Sequence, residues 1–294
     1  MGNRISVLQL GSKDKIFSNN NPQWEETEFD CSYVFNYFKV NDYDVILTVG
    51  DSCEQFKEIY QLNYEVRKKW IHVQKVDDLT GTLVMDCYVG NLQRPNVQPL
   101  VSVFTPTYKT GDKLSRPFNS LRKQTYDNWE WVCFDDSPDN KTFNQINELS
   151  KKEHRISLYK SNKNCGNIGE MKYRACALAK GDILVELDHD DELMSNALEL
   201  IVDAFKKYPE AGFAYTDWAE LFDNGIPALY GNGFAFGYGS YRKEIHNGYG
   251  ELNVCQSLNI NPKTVRHLVG LPNHIRAWKR DLYNEIGGYS RNCI

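Results

Sequence analysis

A cluster of carboxylates after an apolar segment is the feature of this chain most able to do chemistry. Residues 181–187 (GDILVEL) are typical of a turn and a buried strand, and Asp188-His189-Asp190-Asp191 follow directly. In an open α/β sheet, ligands bind at the carboxyl ends of the strands. Carboxylates crowded there need a cation between them, and oxygen ligands favour Mg²⁺ or Mn²⁺ over zinc. Because such an ion completes its shell with water and substrate phosphates, the cluster predicts a phosphorylated small-molecule ligand.

An acidic helix start is the alternative interpretation of this cluster, because Asp favours helix N-termini. Asp191 and Glu192 fit that role, since the apolar-periodic residues 197–202 follow them. For Asp188 and Asp190, directly at the end of the apolar segment, we favour ligand binding.

Composition and charge disfavour several classes of protein. The 294 residues suggest one large or two ordinary domains, and 39 acidic against 34 basic residues give a net charge of −5. This mild acidic excess, without a Lys/Arg block, disfavours a nucleic-acid-binding face. No apolar run approaches the roughly 18 residues of a membrane span. The eight cysteines lack CxxC spacing, which disfavours zinc and a disulfide framework and indicates a reducing, cytoplasmic setting.

A polar segment with two prolines, residues 93–99, predicts a linker. Five segments before it have the periodicity of secondary structure. The strand-like ones are residues 5–10, 43–49 and 83–89, and the helical ones are residues 24–39 and 53–69. This alternation predicts a small α/β N-terminal domain over residues 1–95, with a partly parallel sheet. It carries no Gly-rich phosphate loop, so we expect a docking or scaffolding role.

After the linker, strands and helices alternate more regularly, and each strand ends in polar or turn residues. The expected strands are residues 100–105, 129–134, 155–159 and 183–187. Two helices are expected at residues 113–124 and 141–150, and a third opens at residues 164–169 and runs to Lys180. This alternation predicts a second α/β domain over residues 96–294, whose sheet has a ligand-binding edge.

Three of these strand ends carry groups suited to one nucleotide. Thr105-Pro106-Thr107-Tyr108 offers hydroxyls, backbone amides and a ring that can hold a base. Asp135 and Asp136 end the next strand, where a carboxylate can accept from a pyrimidine N–H or a ribose hydroxyl. Gly166 and Gly169 open a helix N-terminus able to bind an anion. The alternative for the segment from Asp136 is a turn with a helix cap; we favour the nucleotide role for Asp135 and leave both open for Asp136.

The order and spacing of these pieces resemble the family 2 glycosyltransferases across roughly residues 99–290. The matching pieces are residues 101–108, 120–130, 135–137, 164–167 and 179–182, the aspartate cluster, and Gly287-Gly288-Tyr289. The resemblance implies a GT-A (Rossmann-like nucleotide-diphospho-sugar transferase) domain after the small α/β domain. It also implies inverting transfer of a sugar from a nucleotide diphosphate donor, expected to be a UDP-sugar, to a hydroxyl of a glycan, lipid or protein acceptor.

The resemblance also assigns roles to residues. Those that would contact the nucleotide are Thr105, Pro106, Thr107, Tyr108, Asp135, Asp136, Asn164, Lys172, Arg174 and Asp188. Asp188 would contact the ribose or a metal-bound water, and Asp190 would ligate Mn²⁺ or Mg²⁺ on the diphosphate, where the ion acts as a Lewis acid. His274 is a further candidate metal ligand or diphosphate contact, with a structural role as the alternative. Trp218 and Trp278 are candidate sugar platforms, although buried core positions are favoured for both.

The catalytic base is the part that the resemblance leaves open. An inverting displacement needs a base that takes the acceptor proton. In the family, a carboxylate follows the Gly-Gly-Tyr segment, whereas here only residues 290–294 follow it. We therefore expect a fragment truncated at its C-terminal end, whose true base lies beyond Ile294, with Asp217 as the best internal candidate.

Two other functions are weighed against glycosyl transfer. A non-catalytic nucleotide-sugar-binding module stays open, because the expected base is missing from this chain. A nucleotidyltransferase is disfavoured, because it would want an early Gly-rich basic loop.

Overall fold

The computed structural model describes most of the chain. The described residues are 5–12, 24–29, 42–51, 56, 59, 66, 68–92, 98–229, 241–267 and 272–291. Their strands form a four-stranded, a six-stranded and a three-stranded sheet. No helix within these ranges is both long and apolar enough to cross a membrane.

The N-terminal sheet is entirely parallel. Its strands are β1 (Ile5–Leu10), β2 (Trp24–Phe29), β3 (Val45–Val49) and β4 (Trp70–Val73), and helix α1 (Thr80–Leu92) follows them. The strand order is β2-β1-β3-β4. The predicted strands at 5–10 and 43–49 are confirmed as β1 and β3, with β3 beginning two residues late.

Two N-terminal predictions are wrong. Residues 83–89 lie within α1 rather than in a strand. The helix start is fixed by Asp77, whose side chain accepts from the Leu79 and Thr80 amides at 3.0 and 3.1 Å, while the Thr80 hydroxyl accepts from the Asp77 amide at 2.9 Å. Residues 24–29 form a strand rather than a helix. The rest of 24–39, most of 53–69 and residues 93–97 of the expected linker lie outside the described residues, so the domain division near residue 95 stays a prediction.

The six-stranded sheet is mostly parallel. Its strands are β5 (Val101–Thr107), β6 (Trp129–Asp135), β7 (Ile156–Lys160), β8 (Ile183–Glu186), β9 (Phe213–Tyr215) and β13 (Arg276–Lys279). They lie in the order β7-β6-β5-β8-β13-β9. Strands β5 to β8 pair in parallel, and β13 runs antiparallel to both β8 and β9. This parallel-dominated sheet confirms the predicted α/β class and the four predicted strands.

Helices cover this sheet, and the register of its strands aligns their carboxyl ends. The helices are α2 (Ser115–Arg122), α3 (Lys141–Ser150), α4 (Ile168–Leu178), α5 (Ala197–Lys207) and, after a short α6 (Pro262–His267), α7 (Arg280–Glu285). Thr107 lies opposite Asp135, and Phe104 lies opposite Glu186. The side chains that follow β5, β6 and β8 therefore meet at one edge.

Successive side chains of β8 point to opposite faces of the sheet, and each face has its own core. Val185 belongs to a cluster with residues of α2 and α5. Leu184 belongs to a second cluster, which contains Met171 of α4 and also Leu8 and Trp70 of the N-terminal sheet. The N-terminal sheet therefore shares a core with the face that carries α4.

The third sheet is antiparallel and lies in the second half of the chain. Its strands are β10 (Trp218–Ala219), β11 (Tyr241–His246) and β12 (Gly250–Cys255), in the order β10-β12-β11. Because β10 follows β9 after two residues, this sheet extends directly from the six-stranded one.

Candidate functional site

Asp188 lies at the centre of a cluster of charged side chains just beyond β8. Its carboxylate is 3.3 Å from His274 Nε2 and 3.6 Å from Lys172 Nζ. Ligand atoms of Glu186, Asp188 and His274 lie within 4.8 Å of one another. The structure thus brings together Asp188 and His274, which the sequence assigned to metal binding, and it adds Glu186 to them.

Glu186 is a fully buried carboxylate surrounded by donors. Lys172 Nζ and the Tyr289 hydroxyl each donate to it, and Arg276 lies 3.6 Å away. Burial alone would raise the pKa of Glu186, but the charges of Lys172 and Arg276, with the hydrogen bonds of Lys172 and Tyr289, outweigh it and lower that pKa. Glu186 is therefore an anion at neutral pH.

Tyr289 reaches Glu186 because the Gly-Gly-Tyr segment turns sharply against α7. Gly288 has a φ of +73°, and a Cβ there would lie 2.8 Å from the Tyr283 ring, so only glycine fits. The Tyr289 ring packs edge-on against Phe104 and Trp278, with centroids 6.1 and 5.5 Å apart. Trp278 thus lies in an aromatic cluster of the core, as the structural alternative predicted. Burial and the charge of Glu186 raise the pKa of Tyr289, so its hydroxyl stays a donor.

Asp190 has its own basic neighbours, which come from the segment after β5. Lys113 Nζ is 3.9 Å from its carboxylate, and Arg116 donates to its backbone oxygen at 3.3 Å. Both cations also pair with Asp223, at 3.6 and 3.2 Å. The Asp190 side chain is 39% exposed, so a ligand can reach it.

At the end of β6, Asp135 is held inside the protein. It is fully buried, and its oxygens accept from the hydroxyls of Thr107 and Ser137, at 3.1 and 2.6 Å, and from Lys160 Nζ, at 2.9 Å. Its neighbour Asp136 is also nearly buried and accepts from the Cys165 amide at 3.0 Å. These contacts tie the ends of β5, β6 and β7 together, and the nucleotide contacts predicted for Asp135 and Asp136 stay predictions.

The other predicted nucleotide residues divide into buried and exposed ones. Thr105 is buried and accepts from the Trp131 indole at 2.8 Å, and Pro106 is buried beside it. Tyr108 is 44% exposed. Asn164 is also exposed, and its side-chain amide donates to Asp136 at 2.8 Å. Tyr108 and Asn164 are thus the members of the set that a nucleoside can touch from solvent.

Helix α4 carries two cations, Lys172 and Arg174, and only Lys172 points into the cluster around Asp188. Lys172 contacts Glu186 and Asp188, whereas Arg174 pairs with Glu170 at 2.7 Å. Glu170 also accepts from Arg291 at 2.7 Å. Arg174 is therefore part of a separate ion-pair group, and its predicted nucleotide contact has no geometric support.

Asp217, the predicted internal base, has both carboxylate oxygens engaged. One accepts from the Ser257 amide at 2.7 Å, and the other accepts from Arg242. The preceding Thr216 hydroxyl accepts from the Ile275 amide at 3.0 Å, which links this segment to the one that carries His274. The arrangement favours a positioning role for Asp217 over that of a base.

The other predicted source of the base, a carboxylate beyond Ile294, is not tested by the structure. Residues 292–294, which end in Ile294, lie outside the described residues, and Arg291 is the last described one. Tyr289 and Arg291 both contact acidic side chains of this domain, Glu186 and Glu170. The described chain therefore ends against the domain that carries the site, and a base beyond Ile294 stays a prediction.

Sequence reasoning missed Glu186, Arg276 and Tyr289. Glu186 was counted within a buried strand, and a charged residue at an apolar strand position was the available signal. The Gly-Gly-Tyr segment was noted, but the contacts of Tyr289 and Arg276 with Glu186 are distant in sequence, so no local pattern could identify those contacts.

A mostly parallel sheet with charged side chains at its carboxyl edge is typical of α/β proteins that bind ligands at that edge. Residues 102–245 match the model of the family described as glycosyl transferase family 2. Residues 102–245 are therefore similar to the family 2 glycosyltransferases, and their α/β architecture with a parallel-dominated sheet agrees with that match.

Curated relatives match a similar share of the chain. The Escherichia coli UDP-Glc:alpha-D-GlcNAc-diphosphoundecaprenol beta-1,3-glucosyltransferase WfgD is 34% identical over 128 residues, which are 43% of this chain and 49% of that protein. The putative teichuronic acid biosynthesis glycosyltransferase TuaG of Bacillus subtilis is 27% identical over 132 residues, which are 45% of this chain and 52% of that protein. The chain spans about half the length of these two relatives, and 14% of the hyaluronan synthase of Pasteurella multocida, to which it is 32% identical over 140 residues.

Among solved structures, S. aureus TarS 1-349 in complex with UDP-GlcNAc resembles this chain with a TM-score of 0.46 and 21% identity. The match covers 65% of this chain and 48% of that one.

Proposed function

We propose that this chain is a metal-dependent, inverting glycosyltransferase that moves a sugar from a UDP-sugar to an acceptor hydroxyl. The observation that carries the proposal is the convergence of Asp188, His274 and Lys172 at the carboxyl edge of β8, with Asp190 accessible beside them. The family 2 match over residues 102–245 supports glycosyl transfer. The UDP-Glc in the name of the WfgD relative supports a UDP-sugar donor.

The side chains present fit a divalent cation. Asp188 and Asp190 offer carboxylate oxygens, which suit Mg²⁺ and Mn²⁺. His274 Nδ1 is buried with no hydrogen-bond partner in the described part of the chain, while Nε2 faces Asp188, so His274 can add a nitrogen ligand. When bound, the ion would supply Lewis-acid stabilisation of the leaving nucleoside diphosphate.

The remaining residues of the site would bind and orient the donor. Lys172 lies 3.6 Å from Asp188, Arg276 lies 3.6 Å from Glu186 and Lys113 lies 3.9 Å from Asp190, and this positive charge suits a diphosphate. Tyr108 and Asn164 would contact the nucleoside, since both are exposed at the same edge of the sheet. Thr107 and Asp135 would instead fix the strand ends from within.

The acceptor side would be formed by the antiparallel sheet that extends from β9. We assign Asp217 a positioning role there, because Arg242 and the Ser257 amide already occupy its oxygens. The same observation keeps the second candidate function open. A chain without an accessible base would bind nucleotide sugar and transfer it poorly, since general-base catalysis contributes about 10²–10⁴-fold.

Release of UDP from UDP-sugars in the presence of Mn²⁺ tests the proposal. We expect the wild type to release UDP, and Asp188→Asn and Asp190→Asn to lower the rate by about 100-fold or more, through loss of metal-assisted departure. Asp203→Asn is a matched control, because Asp203 is an exposed aspartate of α5 that pairs with Lys206. A wild type that binds UDP tightly but releases none from any UDP-sugar would favour the binding module.

A further inference from the structure

We propose that Glu186 is a positioning residue that holds Lys172 and Arg276 against the incoming diphosphate and does not itself ligate the metal. This inference rests on the proposed function, because it concerns the same donor site. It assigns a role to a carboxylate that lies two residues before Asp188 but is far more deeply buried.

Glu186 acts through its neighbours because no ligand can reach it. It is the last residue of β8, its exposed fraction is zero, and it lies opposite Phe104 in the sheet. Along β8 it points to the same face as Leu184, which is the face covered by α4. A buried anion in this position must be compensated by fixed cations rather than by solvent.

The two cations beside Glu186 are less buried than Glu186 itself. The side chain of Lys172 is 11% exposed and that of Arg276 is 26% exposed. Lys172 comes from α4 and Arg276 from β13, so one carboxylate fixes groups from two elements. Lys172 thereby lies 3.6 Å from Asp188, where the diphosphate is expected, and Arg276 lies 3.6 Å from Glu186.

Lys172 is shared between two carboxylates, and this sharing gives Glu186 its effect on binding. Lys172 Nζ donates to Glu186 and lies 3.6 Å from Asp188. Without the Glu186 charge, Lys172 would turn fully to Asp188, its remaining anionic partner. That ion pair would occupy both the Lys172 ammonium and the Asp188 carboxylate, which are needed for donor binding.

A role as metal ligand fits the contacts of Glu186 poorly, although its oxygens lie close enough to Asp188 and His274 for one. One oxygen accepts from Lys172, and the other accepts from Tyr289 and lies 3.6 Å from Arg276. A cation would have to enter between two positive side chains and displace buried hydrogen bonds.

Binding of UDP and UMP in the presence of Mn²⁺ tests this role, because only UDP has the β-phosphate. Glu186→Gln should lower the affinity for UDP about tenfold, the scale of one charge-assisted hydrogen bond, and should change that for UMP by less than about twofold. Mn²⁺ should still tighten UDP binding through Asp190. Glu153→Gln is the matched control, because Glu153 is another nearly buried glutamate, paired with Arg155 at 2.8 Å, and should leave the UDP-to-UMP ratio unchanged.

Arg276→Gln gives a second test that spares the buried carboxylate. It should also lower the UDP affinity about tenfold with little change for UMP. An unchanged UDP-to-UMP ratio in this variant overturns the proposal even if Glu186→Gln does not fold.

Three results for Glu186→Gln would each overturn the positioning role. An equal loss of UDP and UMP affinity would show that Glu186 serves only the fold. Loss of the Mn²⁺ response would make it a metal ligand, and tighter UDP binding would make it an anion that competes with the diphosphate. Failure of the proposed function is distinguishable from all three, because it is measured on the wild type, which would then bind neither nucleotide or would bind UDP without releasing it from any UDP-sugar.

Discussion

The two parallel sheets of the molecule share a polar contact between neighbouring strands. In the N-terminal sheet, the Trp70 indole donates to the Thr48 hydroxyl at 2.8 Å. In the six-stranded sheet, the Trp131 indole donates to the Thr105 hydroxyl at the same distance. In each sheet, a threonine hydroxyl on the neighbouring strand therefore accepts the hydrogen bond that a buried indole N–H needs.

The two sheets differ in the group buried near this contact. The N-terminal sheet holds a neutral histidine: His72 Nδ1 lies 2.9 Å from the Thr48 hydroxyl, and burial lowers the pKa of His72 from 6.5 to about 4, against a backbone hydrogen bond with Gly50. The six-stranded sheet instead buries the ionised Glu186 between cations. Buried ion pairs are costly to desolvate, and this one adjoins the edge where a charged ligand would bind. In this molecule the buried charge lies in the sheet proposed to bind the donor, and the neutral histidine lies in the N-terminal sheet.

Removal of the Lys172 charge should give the largest effect. Lys172→Met keeps the aliphatic stem but leaves Glu186 and Asp188 without their shared cation. We expect the free energy of unfolding to fall by about 3 kcal/mol, as for other broken buried pairs, and UDP affinity to fall with it. Urea unfolding and calorimetry measure the two effects. Lys206→Met, at an exposed pair with Asp203, is the control, and wild-type stability of Lys172→Met would contradict the comparison.

A lower pH should reduce the free energy of unfolding through His72, the neutral histidine of the N-terminal sheet. Because the pKa of His72 is about 4 in the folded chain and 6.5 is its ordinary value, the unfolded chain binds an extra proton between these values. The contribution is fully present above pH 6.5 and falls as the pH drops towards 4, by about 3 kcal/mol at most. Unfolding measured at pH 7 and pH 4.5 should show less pH dependence in His72→Gln than in the wild type, with UDP binding at pH 7 unchanged. Identical pH profiles for the wild type and His72→Gln would show that His72 does not cause the loss of stability in acid.

The smallest effect is expected from removal of the indole–threonine hydrogen bond that both sheets contain. Thr48→Val and Thr105→Val each leave a buried indole N–H without its acceptor and should each cost about 1 kcal/mol in the free energy of unfolding. Only Thr105→Val should also weaken UDP binding, because Thr105 lies near the nucleoside end of β5. An equal loss of UDP affinity in Thr48→Val would contradict the proposed functional difference between the two sheets.

The sequence was sufficient to predict the parallel strands of the six-stranded sheet, whereas the family resemblance named Asp188 and His274 as candidate metal contacts, with a structural role for His274 left open. Those strands are apolar runs that end in polar residues, so composition marks both their length and their ligand edge. Helix α1 was not predicted, because residues 83–89 form a short, mostly apolar run with Asp86 as its one charged residue, as a buried strand does. The Asp77 and Thr80 contacts that fix its start were the better signal.

The contacts of Glu186 with Tyr289 and Arg276 could not be predicted, since they join residues that are far apart in the sequence. Glu186 meets Tyr289 across 103 residues of sequence. Likewise, the placement of Lys172 inside and Arg174 outside the cluster follows from how α4 packs. The sequence of α4 alone left that choice open.

The response of UDP affinity to Mn²⁺ in Asp190→Ala tests the central claim most directly. Asp190 lies at the carboxyl edge of β8, and its carboxylate is partly exposed. Calorimetry should show that Mn²⁺ raises the affinity of the wild type and of the control Asp203→Ala for UDP. The affinity of Asp190→Ala should be the same with and without the ion. A full Mn²⁺ response in Asp190→Ala would contradict the account.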